Sequence, residues 1–280
     1  MTMDNRKLRV LKRHWSAMAG LAILVLIAAL SLGIGLISRH DPARIASDAM
    51  QGPSGEHWLG TDDLGRDVFA RLGYGGRVSL GVGLAAVALS LLVGVPLGAI
   101  AGYFGGWADM IISRLIEVML ALPTILLAIL IAASMGKGAD TLVFAVGIVG
   151  IPQFARQVRG SVITLREQDF VQASRALGAS PLRTLFHEVV PNALGPIIVL
   201  ATLGVGSAIL TAAGLSFLGL GVETGTPEWG AMLYEGRRGL QSSAHLAVFS
   251  GLVITLAVLA INLFGDGLRD ALDPRAEKKV

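Results

Sequence analysis

Residues 78–104 read VSLGVGLAAVALSLLVGVPLGAIAGYF, without one charged side chain. A helix of this length is about 40 Å long, enough to cross the roughly 30 Å hydrocarbon core of a bilayer. Gly94, Gly98 and Gly102 recur every four residues, so one face of that helix lacks side chains and allows a neighbouring helix to come close. The stretch therefore predicts a transmembrane helix that packs tightly against another.

The composition of the whole chain also indicates a membrane protein. Charged residues make up 15% of the 280 residues, hydrophobic residues make up 53%, and there are 36 glycines besides. A soluble domain carries about 25% charged residues, and a soluble globule of this size could not bury so much apolar surface. Cysteine is absent, which excludes disulfides, thiolate metal sites and a cysteine nucleophile.

Further apolar runs long enough to cross a membrane cover residues 18–37, 110–135, 140–157, 195–221 and 246–264. The sequence thus predicts an all-α membrane protein with about six transmembrane helices. The first run lacks a small-x-small cleavage signal, so we expect an uncleaved anchor. The chain then divides into a cytoplasmic segment 1–17, a first helix 18–37, an extracytoplasmic loop 38–77, a five-helix core 78–265 and a cytoplasmic tail 266–280.

The basic residues predict the orientation. With the N-terminus inside, most of the 23 lysines and arginines lie in inner segments, as the positive-inside rule requires. An even number of spans places the C-terminus inside as well. The net charge of +3 follows this topology, and no aromatic–basic pattern indicates a nucleic acid partner.

The two outer loops each contain a predicted short helix. Residues 61–72 have Thr61 or Asp62 as a possible N-cap and apolar residues at helical spacing, which predicts an amphipathic helix lying on the membrane. In the second loop, 222–245, we predict a helix over 232–238. Trp229 and Tyr234 are expected at the membrane interface.

The inner loop, 158–194, predicts a cytoplasmic helix–turn–helix. One helix is predicted over 165–177 and is broken by Gly178. A second, over 182–190, begins beside Pro181 and is stopped by Pro191. The segment is too polar to enter the bilayer, so we expect it to dock a partner.

Motifs for catalysis are absent from the sequence. It has no Gly-x-x-x-x-Gly-Lys-Ser/Thr loop for nucleotide phosphates, and His187-Glu188 is not followed by the second histidine of a zinc protease. The five histidines show no ligand spacing. We therefore predict no catalytic, cofactor-binding or metal site in this chain. Arg114 and Glu117, three residues apart in one predicted span, are expected to pair with each other.

The inner loop resembles the signature of importer-type ABC permeases, in which Glu-Ala-Ala is followed by a glycine and then by Ile-x-Leu-Pro. This chain has Gln172-Ala173-Ser174, then Gly178, then Glu188-Val189-Val190-Pro191. Four further stretches, read in order along the chain, look like the second permease subunit of dipeptide, oligopeptide and nickel uptake systems. They are Gly60-Thr61-Asp62-Asp63-Leu64-Gly65-Arg66-Asp67, Leu215-Ser216-Phe217-Leu218-Gly219-Leu220-Gly221, Thr226-Pro227-Glu228-Trp229-Gly230 and Asn262-Leu263-Phe264-Gly265-Asp266-Gly267-Leu268-Arg269-Asp270-Ala271-Leu272-Asp273-Pro274.

The resemblance implies a bacterial inner-membrane importer, in which this chain and a second homologous permease form the pore in the lipid. Two ABC ATPase subunits then dock inside, and an extracytoplasmic binding protein delivers a peptide. Alternating access would follow ATPase closure, with the helix–turn–helix as the coupling element. The residues that the resemblance assigns to ATPase coupling are Gln172, Ala173, Ser174, Gly178, Ser180, Pro181 and Pro191.

Other functions fit some of these features. An autonomous carrier or channel would also use kinked spans, a membrane enzyme would need paired catalytic groups inside the spans, and a scaffold would use only the docking loop. Among substrates, peptides fit better than nickel because no histidines or carboxylates cluster in the predicted spans. Nickel, a nickel chelate and glutathione stay open as alternatives.

Overall fold

The computed structural model describes residues 14–240 and 244–272, which are mostly helical. Their helices are α1 (Trp15–Ile37), α2 (Val68–Phe104), α3 (Gly106–Ala121), α4 (Thr124–Met135), α5 (Ala139–Arg166), α6 (Asp169–Ala176), α7 (Pro181–Phe217), α8 (Trp229–Gly236) and α9 (His245–Leu272). Five of these described helices, α1, α2, α5, α7 and α9, are each long and apolar enough to cross a membrane, and α3 with α4 forms a bent sixth candidate. The predicted all-α membrane fold with about six spans is confirmed. The basic residues before His14 and the tail after Leu272 lie outside the described residues, and the orientation stays a prediction.

The third predicted span, 110–135, is broken rather than straight. Helices α3 and α4 meet at an angle of 91°. Pro123 precedes α4, and a proline disfavours the helical conformation in the residue before it. Leu122 accordingly has an extended backbone, with ψ 139°. One run of apolar residues therefore gives two short helices.

The glycine face of α2 packs against another helix, as predicted, and that helix is α5. A Cβ atom at Gly94 would lie 2.9 Å from the carbonyl oxygen of Ile151, and one at Gly102 would lie 2.8 Å from that of Arg159. At Gly98 a Cβ would overlap the backbone of Ala155. These glycines let the two helix backbones touch along the centre of the molecule.

The prediction of a separate amphipathic helix over 61–72 is wrong. Helix α2 begins at Val68 and runs unbroken through the predicted span. Asp67, not Thr61 or Asp62, is its N-cap, and its carboxylate accepts a hydrogen bond of 2.7 Å from the Ala70 amide. Residues 61–67 form a tight loop that is closed by a bridge between Thr61 and Asp67.

The second outer loop contains a helix close to the predicted one, but Trp229 is not at an interface. Helix α8 begins at Trp229, whose side chain is 1% exposed and whose indole N–H donates to the Leu72 carbonyl at 2.9 Å. The Glu228 carboxylate caps α8 and accepts a hydrogen bond of 3.0 Å from the Ser79 hydroxyl. The stretch Thr226–Gly230 thus holds α8 against α2 inside the protein.

Candidate coupling site

The turn between α6 and α7 has the geometry that the sequence predicts, although the helix before it spans Asp169–Ala176 and not 165–177, because α5 continues to Arg166. Gly178 has a φ of +84°, in the left-handed region that favours glycine. The Ala179 amide donates to the Ser174 carbonyl at 3.2 Å, and the Gly178 amide donates to the Arg175 carbonyl at 3.0 Å. This pair of bonds is a Schellman motif, which ends α6 with a sharp change of direction. We call residues 177–180 the Gly178 turn.

Helix α7 starts at Pro181, which suits a first helical position. The predicted stop at Pro191 is wrong, because α7 continues to Phe217. A π-helical segment, Leu185–Val189, comes just before this proline, and the Val190 amide donates to Leu185, five residues back. The wider turn accommodates a proline that would otherwise break the helix.

A groove of about 700 Å³ lies between α6, the Gly178 turn and the first turns of α7. We call it the Gly178 groove; its lining residues are Phe170, Ala173, Ser174, Leu177, Gly178, Ala179, Arg183, His187, Glu188 and Asn192. Ser174 ties its two sides together, because its hydroxyl donates to the Glu188 carboxylate at 2.6 Å. Two of the four departures from the family signature, Ser174 and Glu188, thus bond to each other.

The predicted coupling residues divide into two groups. Ala173, Ser174 and Gly178 line the groove. Gln172, Ser180, Pro181 and Pro191 do not line it, although Gln172, Ser180 and Pro181 are exposed beside it.

Apolar side chains are exposed on the surface around the groove. Leu177 is 89% exposed at the tip of the turn, and Leu182 and Phe186 are 59% and 45% exposed on α7. Apolar side chains beside the charged groups of Arg183 and Glu188 are typical of a surface that a partner covers. Sequence reasoning missed Leu177, because an apolar residue before a helix break looks like part of the core.

The back of this helix–turn–helix is fixed to the spans. Val171 of α6 and Leu185 and Val189 of α7 are fully buried, in a cluster with residues of α2 and α5. The Arg175 guanidinium lies 4.9 Å from the ring centre of Tyr103, near the end of α2. The helix–turn–helix is therefore packed directly against the spans.

The opposite end of α2 is held by a buried charge network that we call the Arg71 cluster, formed by Asp62, Arg66, Arg71 and Glu235. The Arg71 guanidinium is fully buried and pairs with Asp62 and, at 2.7 Å, with Glu235. Arg66 pairs with the same two carboxylates, at 2.7 Å and 3.1 Å. The cluster joins the first outer loop to α8.

Arg114 and Glu117 also pair as predicted, at 3.0 Å, but both side chains are exposed. Sequence reasoning missed a stronger contact on the same helix. The Arg159 guanidinium of α5 makes two bonds of 2.5 and 2.7 Å to the Asp109 carboxylate of α3. This contact joins α3, the first helix of the bent α3–α4 pair, to α5, which packs against α2.

Two family models match the sequence of this molecule. The model of the binding-protein-dependent transport system inner membrane component matches residues 94–278. The chain belongs to this family. The model of the N-terminal TM domain of oligopeptide transport permease C matches residues 6–53. The protein is therefore a multi-pass inner-membrane permease subunit, and the resemblance seen in its motifs is confirmed.

Relatives of known name agree with this assignment. The dipeptide transport system permease protein DppC of Alkalihalophilus pseudofirmus is 49% identical over 95% of this chain and 88% of its own length. The glutathione transport system permease protein GsiD of Pectobacterium atrosepticum is 45% identical over 95% of this chain and 89% of its own length. A chain of the inward-facing MetNI methionine ABC transporter shares the fold, with a TM-score of 0.60 and 18% identity over 72% of this chain and 96% of that one.

Proposed function

We propose that this permease imports dipeptides or other short peptides. The observation that supports this substrate class is the 49% identity with a dipeptide permease over 95% of this chain. In this proposal the chain lines the pore together with a second homologous permease, and an extracytoplasmic binding protein delivers the peptide. Two ABC ATPase subunits hydrolyse ATP, since this sequence has no phosphate-binding loop.

The Gly178 turn is the proposed contact with an ATPase subunit. An orientation with both termini in the cytoplasm places this turn on the ATPase side of the membrane. Leu177 at the tip would enter a cleft of the ATPase, and Arg183 and Glu188 would contact its rim. Because Val171 and Leu185 fix the turn to the spans, ATPase closure would move the spans between inward-open and outward-open states.

Glutathione is a second candidate substrate. Its support is the 45% identity with a glutathione permease over 95% of this chain. Glutathione is itself a tripeptide, so both candidates share a peptide backbone with charged ends. A path that accepts one could accept the other, and the binding protein would then select between them.

Competitive uptake separates these candidates. Labelled dipeptide, a longer peptide, glutathione and nickel are offered to a strain that lacks this gene and to the complemented strain. We expect dipeptide uptake to be lost in the deletion strain and restored by the gene, with nickel uptake unchanged. Loss of glutathione uptake alone would move the assignment to glutathione, and loss of nickel uptake alone would contradict peptide transport.

A further inference from the structure

Three potential metal ligands come together in the first outer loop, between α1 and α2. His40 follows α1, His57 lies in the middle of the loop and Asp67 caps α2. Each offers one ligand atom, and these atoms all lie within 4.8 Å of one another. The His57 Nδ1 atom is 2.8 Å from the Asp67 Oδ2 atom, and the two imidazole rings are 4.7 Å apart between centres.

Asp67 differs from Asp62 in the groups that surround its carboxylate. Asp62, five residues earlier, is neutralised by Arg66 and Arg71. Among the described residues, Asp67 has an ion-pair contact only with His57, although it is 4% exposed. Its carboxylate is thus a buried negative charge that faces imidazoles instead of a guanidinium. Its partners are the Ala70 amide and the His57 ring, and a cation held jointly with the histidines would add a charged partner to these hydrogen bonds.

We propose that His40, His57 and Asp67 bind one divalent transition-metal ion, with Zn²⁺ as the best match. Zinc takes imidazole nitrogen and carboxylate oxygen ligands at about 2.0–2.2 Å, and sites with three protein ligands keep a fourth position for water. Mg²⁺ and Ca²⁺ prefer oxygen ligands alone, so two imidazoles disfavour them.

Hydrogen bonds within the loop orient the proposed ligands. The Ala70 amide donates to the Asp67 Oδ1 atom at 2.7 Å, which leaves the Oδ2 atom directed at His57. The His57 backbone is held in place, because its amide donates to the Ser54 hydroxyl oxygen at 3.0 Å. A tetrahedral ion with ligands at about 2.1 Å needs ligand atoms about 3.4 Å apart. The half-buried His40 ring, whose Nε2 atom lies 3.2 Å from the Glu56 carbonyl oxygen, would therefore move inward by at most about 1.4 Å on binding.

The linear sequence gave no sign of this site. The spacings from residue 40 to 57 and from 57 to 67 match no short metal-binding motif, and we predicted no metal site from them. The fold brings the ligands together by folding the loop back onto the start of α2. A bound ion would join the end of α1 to the start of α2 and stabilise the outer loop.

Zinc binding by the full-length chain in detergent tests the proposal. A chromophoric chelator competes for Zn²⁺ with wild-type protein, His40→Gln, Asp67→Asn and the control His14→Gln, which changes a histidine at the other end of α1. Asn is also a good N-cap, so Asp67→Asn removes the charge and keeps α2. We expect one Zn²⁺ per wild-type and control chain, and at least tenfold weaker binding in the other two variants.

Hydrogen exchange of the wild-type chain adds a readout that needs no variant. We expect Zn²⁺ to slow exchange in residues 38–67, and Mg²⁺ or Ca²⁺ to leave it unchanged. Absence of Zn²⁺ binding by the wild type, equal binding by His40→Gln, or unchanged exchange with Zn²⁺ would each overturn the proposal. None of these measurements depends on which substrate the permease carries.

Discussion

Gly178 shows how one residue can set the geometry of the proposed coupling contact. Its φ of +84° costs a residue with a side chain about 1–2 kcal/mol, and a β-branched residue fits there least well. A cost of this size shifts the population of a local conformation by about 5–30-fold. A Cβ atom at Gly178 meets no other atom within 4 Å, so the backbone angle alone is responsible.

We therefore predict that Gly178→Val lowers peptide uptake severalfold at unchanged protein level, whereas Gly178→Asn retains more uptake because asparagine tolerates a positive φ. Gly160→Val is the matched control, since Gly160 lies in helix α5 with open space around it. Uptake is measured in cells and normalised to the permease in the membrane. Equal uptake by Gly178→Val and Gly160→Val would contradict the role of the turn.

Local signals at single residues predicted some features and missed others. Gly178 was predictable because a helix end depends on the few residues around it. Pro191 was not, because a π-helical segment that precedes it leaves α7 unbroken. Trp229 was expected at the membrane interface but is buried, where it donates to the Leu72 carbonyl across the fold.

At the scale of helices, the contact between α2 and α5 depends on having no side chain at Gly98. A methyl group there would overlap the Ala155 backbone, and such overpacking costs about 1–3 kcal/mol. We predict that Gly98→Ala lowers the thermal unfolding midpoint in detergent. Gly81→Ala, on the same helix but with open space around the glycine, should leave the midpoint unchanged or raise it, since alanine favours helix. Equal midpoints for the two variants would show that the helices do not touch there.

The length of α2 shows why element boundaries were harder to predict than the elements. Arg71 and Arg77 marked an end to the apolar run, because charge is costly in a membrane. In the folded chain, both positive charges have partners. Arg71 pairs with Asp62 and Glu235, and the Arg77 guanidinium donates to the Ser31 and Leu32 carbonyls at the end of α1, at 2.7 and 2.6 Å. These partners are distant in sequence, so only the fold could place them.

At the scale of the whole molecule, α2 links a buried charge cluster at its start to the helix–turn–helix of α6 and α7 at its end. Its first turn holds the Arg71 cluster and its last turn supports α6 through Tyr103. The spans and the family were predictable because hydropathy and motif order are properties of the linear chain. The contacts of Glu235 in the Arg71 cluster and the Asp109–Arg159 pair were not, because they join residues 50 or more positions apart.

We propose that this permease transports peptide only when ATPase subunits act on it. Proteoliposomes containing this chain and its partner permease, with or without the ATPase subunits, are given the binding protein, labelled dipeptide and ATP on the ATPase side. We predict that dipeptide accumulates only in the vesicles that contain ATPase subunits and hydrolyse ATP. Equal dipeptide accumulation without ATPase subunits would contradict the account and show an autonomous carrier.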